Sequence, residues 1–425
     1  MDRPMKDSGI EWIGETPSHW KITTIKNLFS VVSGGTPSTS KKEFWENGSV
    51  PWATPKDFNN LKSGMLFETD RNITHLGVVG SSAEFIPTNS VILTTRAPVG
   101  NVVVNKIKLT TNQGCKSLVN KNNLTDYKYY FFAMKISKDI LESISTGTTF
   151  LELSGEKLKN FNIMMPPIQE QQKISNFLDG KTAHIDSIIT DTKQSIEEFK
   201  KYKKAVINEA VTKGLNSNAE MKDSGIEWIG DVPESWSVLN FKSVMYKKKE
   251  ICQDYDGQNI LSLTLNGVIV RDLINPKGKM PTSFDGYQRI EKGNLLLCLF
   301  DIDVTPRCVG YAWDDGLTSP AYSQYVMRSN AFARYYEYLL LFLDDQKILL
   351  HLTKSLRNTL NDADFGVIKT IQPSYEEQKK IVEYLDQKCA HIENLIQQKQ
   401  QLITELETYK KSLIYEYVTG KKEVM

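Results

Sequence analysis

Forked, amide and cationic side chains recur at corresponding points in the two halves of this 425-residue chain. In the first half they are Arg96, Asn112, Gln113 and Lys116. Thr36, Lys41 and Lys42 join them in the polar loop Gly34-Gly-Thr-Pro-Ser-Thr-Ser-Lys-Lys42. In the second half they are Lys247 to Lys249, Arg271, Lys277, Lys279, Arg307 and the pair Arg357-Asn358. Ser319 and Tyr322 belong with these, because Thr111-Asn-Gln-Gly-Cys115 falls on Thr318-Ser-Pro-Ala-Tyr322 at an offset of 207. Arg pairs bidentately with guanine and Asn or Gln with adenine, while Lys, Ser and Thr position phosphates. Taken singly, each is an ordinary solvated surface residue. Their clustering at matching places points to reading DNA.

The residues of catalysis are missing. There is no G-x-x-x-x-G-K-[ST] loop and no G-x-G-x-x-G fingerprint, so neither ATP hydrolysis nor dinucleotide binding is expected. Met165-Pro-Pro-Ile168 lacks the polar residue and the aromatic of the adenine-methyltransferase motif. His19, His75, His184, His351 and His391 make no metal spacing; His184 and His391 read as seam or partner-contact residues of helices. Asp301-Ile-Asp303 and Asp314-Asp315 have no counterpart in the first half and read as loops. A binding protein without catalytic residues, metal or cofactor of its own is expected.

The composition is that of an ordinary globular chain, 40% hydrophobic and 24% charged. No apolar run is long enough to span a bilayer and no apolar signal region follows Met1, so a cytoplasmic location is expected. Cys115, Cys252, Cys298, Cys308 and Cys389 form no C-x-x-C pair and read as reduced, packed thiols. Net charge is only +1. Residues 21–165 hold 17 Lys/Arg against 11 Asp/Glu, and residues 237–372 hold 16 against 15. Only the first segment could therefore attract phosphate as a whole.

What positions these residues is an internal duplication. Met5-Lys-Asp-Ser-Gly-Ile-Glu-Trp-Ile-Gly14 recurs unchanged from Met221 to Gly230, and Pro17 and Trp20 recur as Pro233 and Trp236. A second block, Pro166-Pro-Ile-Gln-Glu-Gln-Gln-Lys-Ile174, matches Pro373-Ser-Tyr-Glu-Glu-Gln-Lys-Lys-Ile381 and continues to Val211-Thr212 and Val418-Thr419. The expected organisation is a signature (1–20), a first recognition domain (21–165) and a spacer helix (166–215). A repeated signature and linker (216–236), a second recognition domain (237–372), a second spacer helix (373–420) and a tail (421–425) follow. Similar frames with dissimilar interiors suggest two related ligand sites of different specificity; the alternative is a duplicated scaffold whose loops drifted.

Each closing block carries a heptad-like seam. The first runs Ile174, Leu178, Lys181, Ile185, Ile188, Thr192, Ser195, Phe199, Tyr202 and Val206. The second runs Ile381, Leu385, Lys388, Ile392, Leu395, Lys399, Leu402, Leu406, Tyr409 and Leu413. Each predicts a helix of about 44 residues, or ~66 Å. Neither seam is apolar enough to stand alone, so the two helices are expected to pack antiparallel; a coiled-coil dimer of chains is the alternative. The intervening domains read as mixed α and β. Strands are expected at Ser90–Thr95, Gly100–Val104, Asn294–Cys298 and Cys308–Tyr311, and helices at Tyr127–Ile144, interrupted by the polar pair Ser137-Lys138, and at Arg334–Leu350.

Ser8-Gly-Ile-Glu-Trp-Ile-Gly14 with Pro17 and Trp20 resembles the signature of specificity subunits of type I restriction-modification enzymes. So do Gly34-Gly-Thr-Pro37, Pro51-Trp52, Asn112-Gln-Gly114, Thr146-Gly-Thr-Thr149 and the block Pro166 to Gln171. The second half departs from the pattern: it lacks Gly-Gly-Thr-Pro and has Pro373-Ser-Tyr-Glu-Glu-Gln378. The resemblance implies a mixed α/β fold, two target-recognition domains separated by two long helices in pseudo-twofold repeat. Each domain would read one half of an asymmetric bipartite DNA site. The helices would set the spacer and dock two methyltransferase subunits, which supply S-adenosylmethionine. Motor-nuclease subunits using ATP and magnesium would add cleavage.

Overall fold

The computed structural model describes residues 3–59, 61, 63–147, 151–276, 281–305, 307–353 and 358–424. Thr148, Thr149, Lys277, Lys279 and Arg357 lie outside the described residues. The four longest helices among the described residues are α1 (Tyr127–Ile136), α2 (Ile168–Lys213), α3 (Ala333–Asp345) and α4 (Tyr375–Val418). The chain forms two compact units, Met1–Lys193 with Gln400–Met425, and Gln194–Lys399. Each unit therefore takes the first part of one long helix and the last part of the other.

In unit 1 a five-stranded sheet has the order Phe29–Ser33, Cys115–Asn120, Val91–Thr94, Val102–Asn105, Met65–Leu66. The first four strands pair antiparallel and the last pairs parallel. Val91 to Thr94 are all buried, which explains a continuous apolar run instead of alternation. A smaller sheet joins Thr110–Thr111, Val50–Ala53 and Asn72–Ile73. In unit 2 the corresponding sheet has four antiparallel strands, Met245–Lys248, Ser323–Met327, Leu295–Leu297 and Val309–Tyr311. The expected strands are present with ends shifted by one or two residues.

Helix α1 starts on Asp126, whose carboxylate accepts the Tyr129 N–H at 2.8 Å. It ends at Ile136, and a separate helix Lys138–Ser143 follows, so the polar Ser137-Lys138 pair divides the expected 127–144 helix. Likewise α3 stops at Asp345. Lys347 takes a left-handed φ of 55° before the short helix Ile348–His351, so 334–350 is not one helix.

The long helices pack antiparallel within each unit. In unit 1, Phe177 stacks near Tyr417 at 4.5 Å and Asp186 binds Lys410 at 2.5 Å, so one register number rises as the other falls. In unit 2, Lys203 pairs with Glu393 and Lys399 lies 5.7 Å over the Phe199 ring. The buried stripe differs from the expected seam at every other position. It follows Leu178, Thr182, Ile185, Ile189, Thr192 and Ile196, while Lys181 is exposed and Tyr202 is 53% exposed. In α4, Cys389 is buried in place of Lys388, and Tyr409 is 56% exposed. One heptad position is as expected, and its partner lies on the other side of the stripe, where Ile189, Ile196 and Cys389 offer apolar area. His184 and His391 are exposed, off the seam.

Candidate nucleic-acid interface

The repeated motifs build the frame. The Trp20 indole donates to the Glu170 carboxylate at 2.9 Å, and Trp236 donates to Glu377 at 3.0 Å. The buried Gln171 amide donates to Pro166 O at 2.8 Å and accepts the N–H of Asp126 at 2.8 Å, where α1 begins. Gln378 does the same with Pro373 O at 2.9 Å and Phe332 N–H at 2.7 Å, where α3 begins. Tyr129 donates to Val418 O at 2.8 Å and Tyr335 to Val211 O at 2.9 Å, satisfying carbonyls that the last turns of the long helices leave open. Gly214 and Gly420 follow those helices with φ near +75°. A Cβ on Gly420 would lie 2.3 Å from Pro17 Cδ, so the repeated Pro–Trp corner needs glycine there. Trp and Gln thus recur as buried structure, and Glu and Gly recur because they hold the same frame contacts.

Around Glu170, burial raises the carboxyl, but hydrogen bonds from Trp20 and His19 and the Arg3 charge outweigh it and hold it below its ordinary value.

The unlike residues lie at one end of each main sheet. In unit 1, Gly34 N–H donates to Cys115 O at 3.3 Å and Gly35 N–H to Thr111 O at 2.9 Å. A Cβ on Gly34 would sit 1.9 Å from Asn112 O, so only glycine lets the two loops abut. This contact brings Thr36 onto Gln113, hydroxyl to amide oxygen, with both residues exposed. Asn112 spends its side-chain oxygen on Gly114 N–H at 3.0 Å and so shapes the turn that presents Gln113. Lys116 reaches Ser33 Oγ at 3.1 Å. Burial depresses its pKa, Lys159 and Arg96 add to the effect, and Glu152 opposes it. Arg96 lies 3.4 Å from Glu152, both about half exposed. Thr36, Arg96, Gln113 and Lys116 therefore share one sheet end. Lys41 and Lys42 lie on a neighbouring exposed turn, Lys41 over Phe44 and Lys42 facing Glu46. Cys115 beneath them is fully buried, and burial, with Asp57 nearby, pushes its thiol up to about 12. All five cysteines are free and buried.

In unit 2 the ladder partner Met327↔Met245 stands where Asn120↔Phe29 stands in unit 1, 207 residues on along the strand. The turn before that strand, Ser319 to Tyr322, is held by Gln288, whose amide donates to Ser319 O at 3.0 Å and Tyr322 O at 2.6 Å. Tyr322 packs near Phe300 with ring centres 6.1 Å apart. Burial raises its hydroxyl, Cys298 adds, and the Arg271 charge opposes. Lys248 is tied to Glu291 at 2.5 Å.

Arg307 is different. Its guanidinium donates to Val309 O at 2.6 Å, Leu265 O at 3.3 Å and Glu337 at 2.8 Å, with the Glu337 side chain 4% exposed. Those bonds fix the hairpin Leu261–Thr264/Gly267–Val270 to α3, and the geometry assigns Arg307 to holding the domain together. The sequence reading also missed residues. Trp45, Arg71, Glu152, Gln288 and Phe300 sit at these sheet ends without a motif to mark them; only Trp52 stood in one.

The family description "Type I restriction modification DNA specificity domain" matches residues 17–198. The chain is 39% identical over 190 residues to the type I restriction enzyme MjaIX specificity subunit of Methanocaldococcus jannaschii, a match covering 44% of this chain and 43% of that one. It is 33% identical over 183 residues to the EcoR124I/EcoR124II specificity subunit of Escherichia coli, covering 42% and 44%. The chain thus spans less than half the length of these two curated relatives where it matches them. A solved chain from work on complex assembly and conformational transition of the type I R-M system matches with a TM-score of 0.70. It shares 14% identity and covers 96% of this chain and 99% of that one. Motif and duplicated frame are thus similar to those of type I restriction-modification specificity subunits, with residues 17–198 matching that family's domain and the fold resembling the solved chain.

Proposed function

We propose that the chain reads an asymmetric, bipartite DNA site, one half per recognition domain, and does no chemistry itself. One observation carries this reading: equivalent sheet ends, on frames built by the same repeated residues, present Thr36, Arg96, Gln113 and Lys116 in one unit and Ser319 and Tyr322 in the other, to which Arg271 is added from its place in the sequence. Identical frames with unlike edges suit two related but different half-sites. The recognition domains on this reading are residues 21–165 and 237–372. Lys41 and Lys42 are phosphate contacts beside the first, and Asn112 acts through its turn. Lys277, Lys279 and Arg357 belong to the second by their place in the sequence.

Helices α2 and α4 act as spacer and, with the repeated signatures, as duplicated docking surface for two methyltransferase subunits, since two identical partners need two similar surfaces. Those partners supply S-adenosylmethionine and adenine methylation. Motor-nuclease subunits with ATP and magnesium supply cleavage. The site of action on this reading is the cytoplasm; among the described residues no helix is long and apolar enough to cross a membrane.

Co-expression with the methyltransferase partner, followed by single-molecule mapping of methylated adenines, tests the proposal. The expected result is one motif of two short defined halves around a fixed gap. A stable two-to-one complex that marks no motif would make the chain an adaptor and remove the DNA-contact assignments.

A further inference from the structure

We propose that Arg71 is a base-reading residue of the first recognition domain, its guanidinium held on a tryptophan platform to fork onto guanine. The inference rests on the DNA-reading function above. Arg71 is exposed and lies at 4.1 Å from the Trp45 ring centre and 5.3 Å from that of Trp52. The two indoles meet edge to face at 5.1 Å, and Trp52 is buried.

The same rings pin the Gly34-Gly-Thr-Pro loop. Trp52 Nε1–H donates to Gly35 O at 2.9 Å and Trp45 Nε1–H to Ser38 O at 3.1 Å, on either side of Thr36. Arg71 is therefore fixed to the scaffold that carries Thr36 and Gln113. Its backbone is anchored too, its carbonyl accepting Trp52 N–H at 3.0 Å. Nearby carboxylates are engaged elsewhere. Asp70 faces Lys56 at 3.0 Å, and Asp57 accepts from Thr54 and from Asp70 N–H at 2.7 Å.

Among the described residues, Arg71 thus has aromatic neighbours and no side-chain ion pair or hydrogen bond. An arginine that only braced the domain would spend its donors inside it, as Arg307 does with three hydrogen bonds. Arg71 keeps its donors open while two rings restrict its rotamers, which reduces the entropy lost on docking. A planar fork on a rigid platform suits the O6/N7 edge of guanine, and the base-pair changes below separate that contact from a forked pair with phosphate.

The test uses the full chain in complex with its methyltransferase partner, with adenine-methylation mapping and binding to DNA carrying each single base-pair change. The expected result for Arg71→Ala is that one base pair of one half-site loses roughly 5- to 100-fold discrimination, the other half staying intact. Arg71→Lys should not restore it, and Trp45→Leu should weaken it in the same direction. Unchanged melting of Arg71→Ala would show that the fold survives. A wild-type motif that Arg71→Ala leaves unchanged, or uniform weakening on every sequence, would overturn base reading by Arg71 alone. A wild-type complex with no motif would overturn the DNA-reading function and this inference together.

Discussion

Glu170 concentrates much of the repeated signature in one carboxylate, accepting from Trp20 at 2.9 Å and His19 at 2.6 Å and pairing with Arg3. Its side chain is 30% exposed, so solvent screens the charge partners, and the cluster contributes about 1 kcal/mol. Because its folded pKa is depressed, that contribution is full above the ordinary value of 4.5 and lost as pH falls through the lowered folded value. Unfolding free energies of wild type and Glu170→Gln, measured from pH 6 to 3, should converge at the acid end. Curves that stay parallel would mean the cluster adds nothing. Two arginines separate reading from bracing in the same way. Arg96→Ala should relax one half-site by ~1–3 kcal/mol with little change in melting. Arg307→Ala instead leaves Glu337 with Arg334 as its remaining cation and should destabilise unit 2 by about 1–3 kcal/mol. Denaturation midpoints beside methylation maps separate the two outcomes.

At the scale of elements, each long helix contributes to the core of both units. Their stripes carry Thr182, Thr192 and Lys410 among the apolar residues, so each needs the other to bury what it has. In unit 1 the ion pair between the two helices joins Lys410, 17% exposed, to Asp186, 37% exposed. If the helices set the gap between half-sites, four residues inserted near the middle of both, ~6 Å of rise, should lengthen the unspecified gap by roughly one or two base pairs at ~3.4 Å each. Both half-sites should stay the same. Methylation mapping that found altered halves around an unaltered gap would end the spacer idea.

For the whole molecule, the proposed DNA reading with a net charge of +1 would leave most phosphate neutralisation to local patches and to the proposed partner subunits. Lys41 and Lys42, exposed beside the first sheet end, are such a patch. Replacing both with Gln should lower the slope of log affinity against log salt by about two for the assembled complex, leaving the motif unchanged. An unchanged slope in a salt titration would remove them from the interface.

The sequence by itself determined the duplication, the mixed α/β class, the two long helices and the resemblance to specificity subunits, because each is written as local pattern or repeated identity. Gly34-Gly35 and Asn112 were visible as loop residues, and the structure adds that a missing Cβ lets those loops touch. Only the tertiary structure decided the phase of the helix stripe, since Lys181 and Thr182 satisfy a heptad equally well until a partner helix selects one face. It alone showed that Trp20, Glu170 and Gln171 recur to hold the frame, because residues 150 apart meet through folding and not through spacing. Arg307 and Arg71 look alike in the chain. A buried glutamate occupies the first and two tryptophan faces leave the second open, and that difference exists only once distant segments are packed.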